Sequence, residues 1–175
     1  MTVLNIKMFP DKILRQKAEP VNIIDAEILE ILENMSETMY NAPGIGLAAN
    51  QVGVLKRLIV MDCSSDEEEP ALHKMINPEI TFQSEQKKEL EEGCLSIPTY
   101  KSIVSRPSEV TVSYTSITGK NEELKASGIL AACIQHEIDH LNGKLFIDHI
   151  SKLKKDIILR KIKKQLRDKR DYPDE

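Results

Sequence analysis

Residues 128–142 read GILAACIQHEIDHLN. The stretch opens with an apolar run from Ile129 to Ile134 and ends before Gly143, a residue type that commonly follows a helix C-terminus. We therefore predict a helix from Gly128 to about Asn142, with Ser127 as the residue that leads into it. Its apolar run is the longest in the chain and is far too short to span a bilayer, so we expect no membrane as a partner.

The chain before this helix is rich in strand signals. β-branched residues separated by turn signals predict strands near Arg57–Met61 and at residues 73–83, 86–91, 97–104, 109–116 and 121–126. Residues 44–53 read GIGLAANQVG, and their three glycines predict a tight, close-packed backbone rather than a regular element. The acidic residues at 64–70 predict a solvated loop.

Two further helices are predicted at the ends of the chain. Asp25 is the predicted N-cap of the first, which ends before residues 41–44. Its apolar stripe consists of Ile24, Ile28, Ile31, Leu32, Met35 and Met39. The last helix runs from about Ser151 to Arg170, and its stripe consists of Ile158, Leu159, Ile162 and Leu166. Central strands with helices segregated before and after them predict an α+β fold.

Length and composition fit one globular unit. The 175 residues are 41% apolar and 30% charged, so we expect a single domain over 1–175, with 151–175 as a C-terminal basic helix and tail. Aromatic residues make up only 4%, which argues against a nucleic-acid platform of stacked rings, and we expect no DNA partner. An odd number of cysteines and no visible signal or transit peptide predict a reducing cytoplasm.

The charge is distributed unevenly along the chain. The net charge is −4, yet residues 151–170 carry ten Lys and Arg against two Asp. An acidic body with a basic C-terminal segment is compatible with a polyanionic partner, but charge alone favours a solvated helix face.

The predicted helix at 128–142 contains an HExxH motif, His136-Glu137-Ile138-Asp139-His140. Two histidines four residues apart lie on one helix face and can bind one metal ion, and Glu137 can act as general base toward a water activated there. A catalytic site of this kind needs a third protein ligand.

Four residues could supply that third ligand. His73 and His149 are isolated in a predicted strand and loop. Cys133 is on the same helix but lies about 10 Å from His140 along the axis, which is too far for a short side chain. Cys94, at a predicted strand edge beside Gly93, is the better candidate.

Three segments together resemble the signature motifs of the peptide deformylase family. They are GIGLAANQ at 44–51, EGCLS at 92–96 and QHEIDH at 135–140, in the family's order and with similar separations. The resemblance implies a small α+β fold with mixed or antiparallel sheets around a central metal-bearing helix. It also implies removal of the N-formyl group from the N-terminal methionine of nascent chains, with release of formate.

The resemblance further implies roles for single residues. Cys94, His136 and His140 would hold a metal, usually Fe(II), with Zn, Ni or Co able to substitute. Glu137 would move the proton, while the Gln51 side chain and the Leu95 backbone N–H would stabilise the oxyanion. Gly46 and Gly93 would leave room for the substrate backbone. Ile45, Ile129 and Cys133 either line the methionine pocket or belong to the plain core, and in deformylases the C-terminal segment is associated with the ribosome and its RNA.

Two other function classes share some of these signals. A metalloprotease also uses HExxH but ordinarily takes a downstream third ligand, for which only His149 is available. A structural zinc or ribosome-binding module could use the basic helix, but it would leave Glu137 without a role. Formate release from a formyl-methionyl peptide separates all three.

Overall fold

A computed structural model describes residues 2–65 and 67–171, with side chains described as far as residue 168. Position 66 of the acidic loop and the tail at 172–175 lie outside the described residues. The α+β prediction is confirmed. The helices are α1 (Ala26–Asn41), α2 (Gly128–Leu141) and α3 (Lys152–Asp171). The strands are β1 (Gly46–Ala48), β2 (Leu58–Met61), β3 (His73–Gln83), β4 (Lys87–Cys94), β5 (Ile97–Pro107), β6 (Glu109–Thr115) and β7 (Asn121–Ser127).

The strands form two antiparallel sheets. Five of them pair in the order β1-β2-β3-β6-β7, and β4 pairs with β5 as a separate hairpin. Consecutive strands that are joined by short turns pair antiparallel, as β6 and β7 do around the turn at Gly119.

Two helices cover opposite faces of the larger sheet. Alternate residues of a strand point to opposite faces, and β2 shows this clearly. Leu58 and Val60 pack in one core cluster with α1, whereas Ile59 and Met61 pack in another with α2. All four residues of β2 are buried, because the strand is covered on both sides.

The local signals for the helices are confirmed by their caps. The Asp25 carboxylate accepts a hydrogen bond from the backbone N–H of Ile28, 3.0 Å away, at the start of α1. Gly143 follows α2 with φ of 73°, a left-handed conformation that glycine adopts without strain. These two residues fix where α1 begins and where α2 ends.

Two sequence predictions about local structure are wrong. Within 44–53, Gly46–Ala48 forms a regular strand, because Gly46 pairs with Met61 across the sheet. Leu166 is not part of the docking stripe of α3, since it is 45% exposed. Ile158 and Ile162 are buried, so α3 docks around its middle.

Of the helices in the described part of the chain, none is long and apolar enough to cross a membrane.

Candidate active site

Three predicted ligand residues meet where α2 approaches the β4–β5 hairpin. The Nε2 atoms of His136 and His140 are 3.2 Å apart, one helical turn from each other. Cys94, the last residue of β4, brings its Sγ atom to 3.3 Å from Nε2 of His140. The three ligand atoms all lie within 4.8 Å of one another. A helix and a strand end thus supply two imidazoles and one thiol to a single point.

This arrangement fits a divalent metal ion. In a tetrahedral site with bonds of roughly 2.0–2.3 Å, nitrogen and sulfur ligands lie roughly 3.3–3.6 Å apart. The observed separations of 3.2 and 3.3 Å are close to that spacing. Two imidazoles and a thiolate suit several divalent transition metals, so the donor set does not select one.

Electrostatics in the cluster favour a thiolate. Burial raises the pKa of Cys94, but the neighbouring charge of His140 and hydrogen bonds from His136 and His140 outweigh it, so the pKa lies well below its ordinary value. Burial lowers the pKa of His136, but hydrogen bonds to Cys94 and Glu92 raise it well above its ordinary value. The thiolate is the form of cysteine that binds metals.

Behind the ligands lies a buried ionic network that sequence reasoning missed. Glu92 accepts from His136 through Nδ1, 3.0 Å away, and so orients the ring. Arg106 holds Glu92 with two hydrogen bonds of 2.5 and 3.0 Å and reaches Asp139 at 2.8 Å. His149 contacts the same oxygen of Asp139, at 2.7 Å.

Part of this network could have been found from the sequence. Glu92 and Asp139 stand inside the EGCLS and HExxH segments, next to predicted ligands. Nothing in the local sequence singles out Arg106, which comes from β5 and reaches the site only through strand pairing with β4, where it lies opposite Lys88.

Glu137 is buried beside the ligand cluster. Burial raises its pKa above the ordinary value, although the two histidines oppose this. Its Oε2 atom has no hydrogen-bond partner among the described residues. Gly46 explains how the carboxylate fits, because a Cβ there would lie 2.5 Å from Oε1 of Glu137 and 2.7 Å from Sγ of Cys133. β1 can therefore approach α2 closely only with glycine at this position.

Gln51 is held in one orientation beside the thiol. Its Oε1 accepts from the backbone N–H of Ala48 at 2.9 Å, which turns Nε2 toward Cys94 Sγ at 3.5 Å and Ser96 Oγ at 3.2 Å. Gln51 is 1% exposed. The amide is thus a fixed hydrogen-bond donor at the edge of the site. Leu95 follows Cys94 in the turn between β4 and β5, and its side chain is half-buried.

A cavity of about 510 Å³ opens onto this cluster. The sequence singled out eleven residues for the site, and all but His140 line the cavity. The ten are Ile45, Gly46, Gln51, Gly93, Cys94, Leu95, Ile129, Cys133, His136 and Glu137. Ile45 and Ile129 are 51% and 57% exposed, so they are wall residues and not core. Cys133 is both, because it lines the cavity and packs in the core cluster under α2.

The remaining histidines lie away from the ligand cluster. His73 begins β3, and His149 ends a short 3-10 turn with its Nε2 directed at Asp139. His149 therefore does not supply the downstream ligand that a metalloprotease of this motif class would use.

Comparison with known proteins decides the family. Residues 3–156 match the family model described as polypeptide deformylase. The chain belongs to this family. It is 50% identical over 169 residues to the peptide deformylase of Mesorhizobium japonicum, covering 97% of this chain and 96% of the relative. It is 51% identical over 165 residues to peptide deformylase 1 of Pseudomonas syringae pv. tomato, covering 94% and 97%.

Solved structures of the family share the fold. The Ehrlichia chaffeensis deformylase in complex with actinonin superposes with a TM-score of 0.89 at 43% identity, covering 94% of this chain and 98% of that one. A plant peptide deformylase gives a TM-score of 0.89 at 34% identity, covering 97% and 94%. The chain is therefore an enzyme of the peptide deformylase class, a hydrolase whose family implies a catalytic metal, and its Cys94–His136–His140 cluster is the candidate site for one.

Proposed function

We propose that this enzyme removes the formyl group from the N-terminal methionine of newly made polypeptides and releases formate, as one catalytic unit spanning residues 1–175. The observation that carries the proposal is the buried carboxylate of Glu137, which lines an apolar cavity beside the Cys94–His136–His140 cluster and whose Oε2 has no hydrogen-bond partner among the described residues. A structural metal module would have no use for such a group.

Cys94, His136 and His140 would hold the metal, which when bound supplies Lewis acidity and makes water a nucleophile near neutral pH. Glu137 then moves the proton. One carboxylate oxygen takes it from the attacking water and later delivers it to the nitrogen of the departing amine. Burial raises the pKa of Glu137, which makes its protonated form easier to reach for this second step.

Gln51 and Leu95 stabilise the charge that develops on the formyl oxygen. Nε2 of Gln51 is already oriented by the bond from Ala48 to Oε1, so little reorganisation accompanies the reaction. The backbone N–H of Leu95 is the second donor in this proposal. Both residues line the same cavity as Cys94.

The rest of the cavity binds the methionine. Ile45, Ile129 and Cys133 form an apolar wall for its side chain. Gly46 and Gly93 line the same cavity, and we place the extended substrate backbone against their main chains. An apolar pocket with a few fixed polar groups is the usual form of a small-ligand site.

A formate-release assay with a formyl-methionyl tripeptide tests the proposal. Glu137→Gln keeps the side-chain shape but cannot accept the proton, so we expect turnover to fall by about 10²–10⁴-fold with metal content nearly unchanged. Near-normal turnover of the variant would remove Glu137 from the mechanism. Hydrolysis of internal peptide bonds without formate release would favour the peptidase alternative.

Iron(II) is the resident metal that we propose, with zinc, nickel or cobalt able to replace it. The mixed sulfur and nitrogen donor set accepts all four ions. Metal analysis of anaerobically purified protein checks this, together with activity during exposure to air. Ferrous protein should lose activity in air, and a preparation that stays active for days would argue for another metal.

We propose that the C-terminal helix contacts ribosomal RNA. The ribosome would then present the nascent chain to the enzyme in the cytoplasm. α3 docks through Ile158 and Ile162 and leaves its basic side chains exposed. They include Lys154, Lys161, Lys164 and Arg167. None of the predicted catalytic or ligand residues lies beyond His140, so α3 is free to serve a partner.

Charge reversal separates ribosome binding by α3 from catalysis at the metal site. A variant with Lys161, Lys164 and Arg167 changed to Glu should keep tripeptide turnover and lose co-sedimentation with ribosomes. The slope of the log binding constant against log salt concentration should become shallower by roughly one for each lost phosphate contact. The matched control reverses Lys88, Lys120 and Lys125, which are exposed lysines on or beside strands. Equal binding by both variants would leave α3 as a solvated helix face.

A further inference from the structure

Two cysteines outside the proposed reaction chemistry converge between β2 and α2. Ile59 and Met61 point from β2 toward the core cluster under α2. Cys63 lies two residues beyond the end of β2 and packs against the same cluster, which contains Cys133.

A shared acceptor confirms that these segments meet. The carbonyl oxygen of Ile45 accepts from the backbone N–H of Asp62 at 3.0 Å and from Sγ of Cys133 at 3.6 Å. The residue before Cys63 and the side chain of Cys133 are therefore bound to the same atom. Both cysteines are free thiols, with Cys133 buried and Cys63 half-exposed.

The two thiols are also chemically unequal. Contact with Cys133 lowers the pKa of Cys63, while contact with Cys63, followed by burial, raises the pKa of Cys133 well above its ordinary value. Cys63 is the more exposed partner and therefore the one that a peroxide in solution reaches first. An accessible thiol of lowered pKa beside a second cysteine is the usual arrangement of a redox-sensitive pair.

We propose that Cys63 and Cys133, of which Cys133 lines the cavity, form a redox-active dithiol that a peroxide converts into an intramolecular disulfide. The Cys63 thiolate attacks one peroxide oxygen, the O–O bond breaks, and hydroxide leaves a sulfenic acid on Cys63. Sγ of Cys133 then attacks this sulfur, the S–O bond breaks, and water leaves with the thiol proton. Two thiols lose two electrons and two protons, and the peroxide is reduced to two waters.

The disulfide alters the methionine pocket, a consequence that rests on the proposed function. Oxidation removes the S–H donor to the Ile45 carbonyl and draws Sγ of Cys133 toward Cys63. Sγ of Cys133 packs closely against the backbone of β1, since a Cβ on Gly46 would lie only 2.7 Å from it. A shift of this sulfur therefore changes the packing at Gly46. We expect KM for a formyl-methionyl peptide to rise by about tenfold, the scale of one lost methylene-sized contact in an apolar pocket.

Peptide mapping without reduction tests the disulfide directly. Full-length protein loaded with nickel is treated with hydrogen peroxide, since nickel occupies Cys94 and avoids the oxidation of ferrous iron. We expect a crosslinked peptide containing Cys63 and Cys133, with two hydrogen atoms lost from the intact mass, and its disappearance after dithiothreitol. The Cys63→Ser variant should form no crosslink. A disulfide that contains Cys94, or free thiols at both positions after treatment, would overturn the proposal.

Turnover of the formyl-methionyl tripeptide supplies the second readout. Untreated Cys63→Ser should match the wild-type enzyme and should keep its KM in peroxide, whereas the wild type should show a raised KM that dithiothreitol restores. An equal peroxide effect in both proteins would contradict the role of the pair. If the enzyme released no formate at all, the function proposed above would fail, while the mapping result would still decide whether the disulfide forms.

Discussion

Replacing Arg106 with Met removes the centre of the buried ionic network behind the ligands. Arg106 is 5% exposed and donates three hydrogen bonds, two to Glu92 and one to Asp139. Burial lowers its pKa, but the two carboxylates raise it above its ordinary value, so the guanidinium stays charged. The variant leaves Glu92, which is 8% exposed, as a buried charge without its main partner.

The structure sets the scale of the loss. Breaking a buried ion pair from one side typically costs about 3–5 kcal/mol of unfolding free energy, because the remaining charge is uncompensated. Glu92 also orients His136, so metal affinity should fall as well, by about 10–100-fold, the usual effect of removing a group that supports a ligand. We therefore expect both a lower denaturant midpoint and a weaker metal site.

The assay compares one arginine and one lysine on the same strand, β5. Urea unfolding at a fixed free metal concentration gives the unfolding free energy, and chelator competition gives the metal affinity. Lys101→Met is the matched control, because Lys101 lies 3.8 Å from Glu91 and both are more than 60% exposed. Such an exposed pair contributes about 0–1 kcal/mol. If Arg106→Met cost no more than Lys101→Met, the network would not support the site as argued.

Two further predictions concern β1 and the end of β2. Gly46→Ala should reduce the unfolding free energy by about 1–3 kcal/mol and turnover by about 10²-fold, because the added Cβ would collide with Glu137 and Cys133. Unchanged urea unfolding and unchanged formate release would contradict this prediction. Burial raises the pKa of Asp62, but hydrogen bonds from Ser64 and Tyr40 bring it down to about 2. Because this folded pKa lies below the unfolded value, the carboxylate stabilises the fold above about pH 4 and the contribution disappears toward pH 2. Asp62→Asn should therefore lose about 1–2 kcal/mol at pH 7 with the deficit vanishing in acid, and a pH-independent deficit in a urea series would refute the assignment.

The sequence by itself determined the elements whose signals are local. The apolar period of α1, the Asp25 cap and the glycine after α2 depend on neighbours within a few residues, so their positions could be read from the chain. The same holds for the pair His136 and His140, because four residues along a helix place two side chains on one face. The α+β class followed from the order of such segments.

Tertiary structure alone decided how distant segments meet. β1 is a strand only because β2 pairs with it, and glycine-rich sequence carries no local strand signal. Arg106 reaches Glu92 and Asp139 because β5 folds back on β4 beside α2, and Cys63 meets Cys133 because β2 runs under the same helix. Leu166 fits the helical period of α3 yet is exposed, since periodicity fixes which face a residue lies on but not how far along the helix the body of the protein extends.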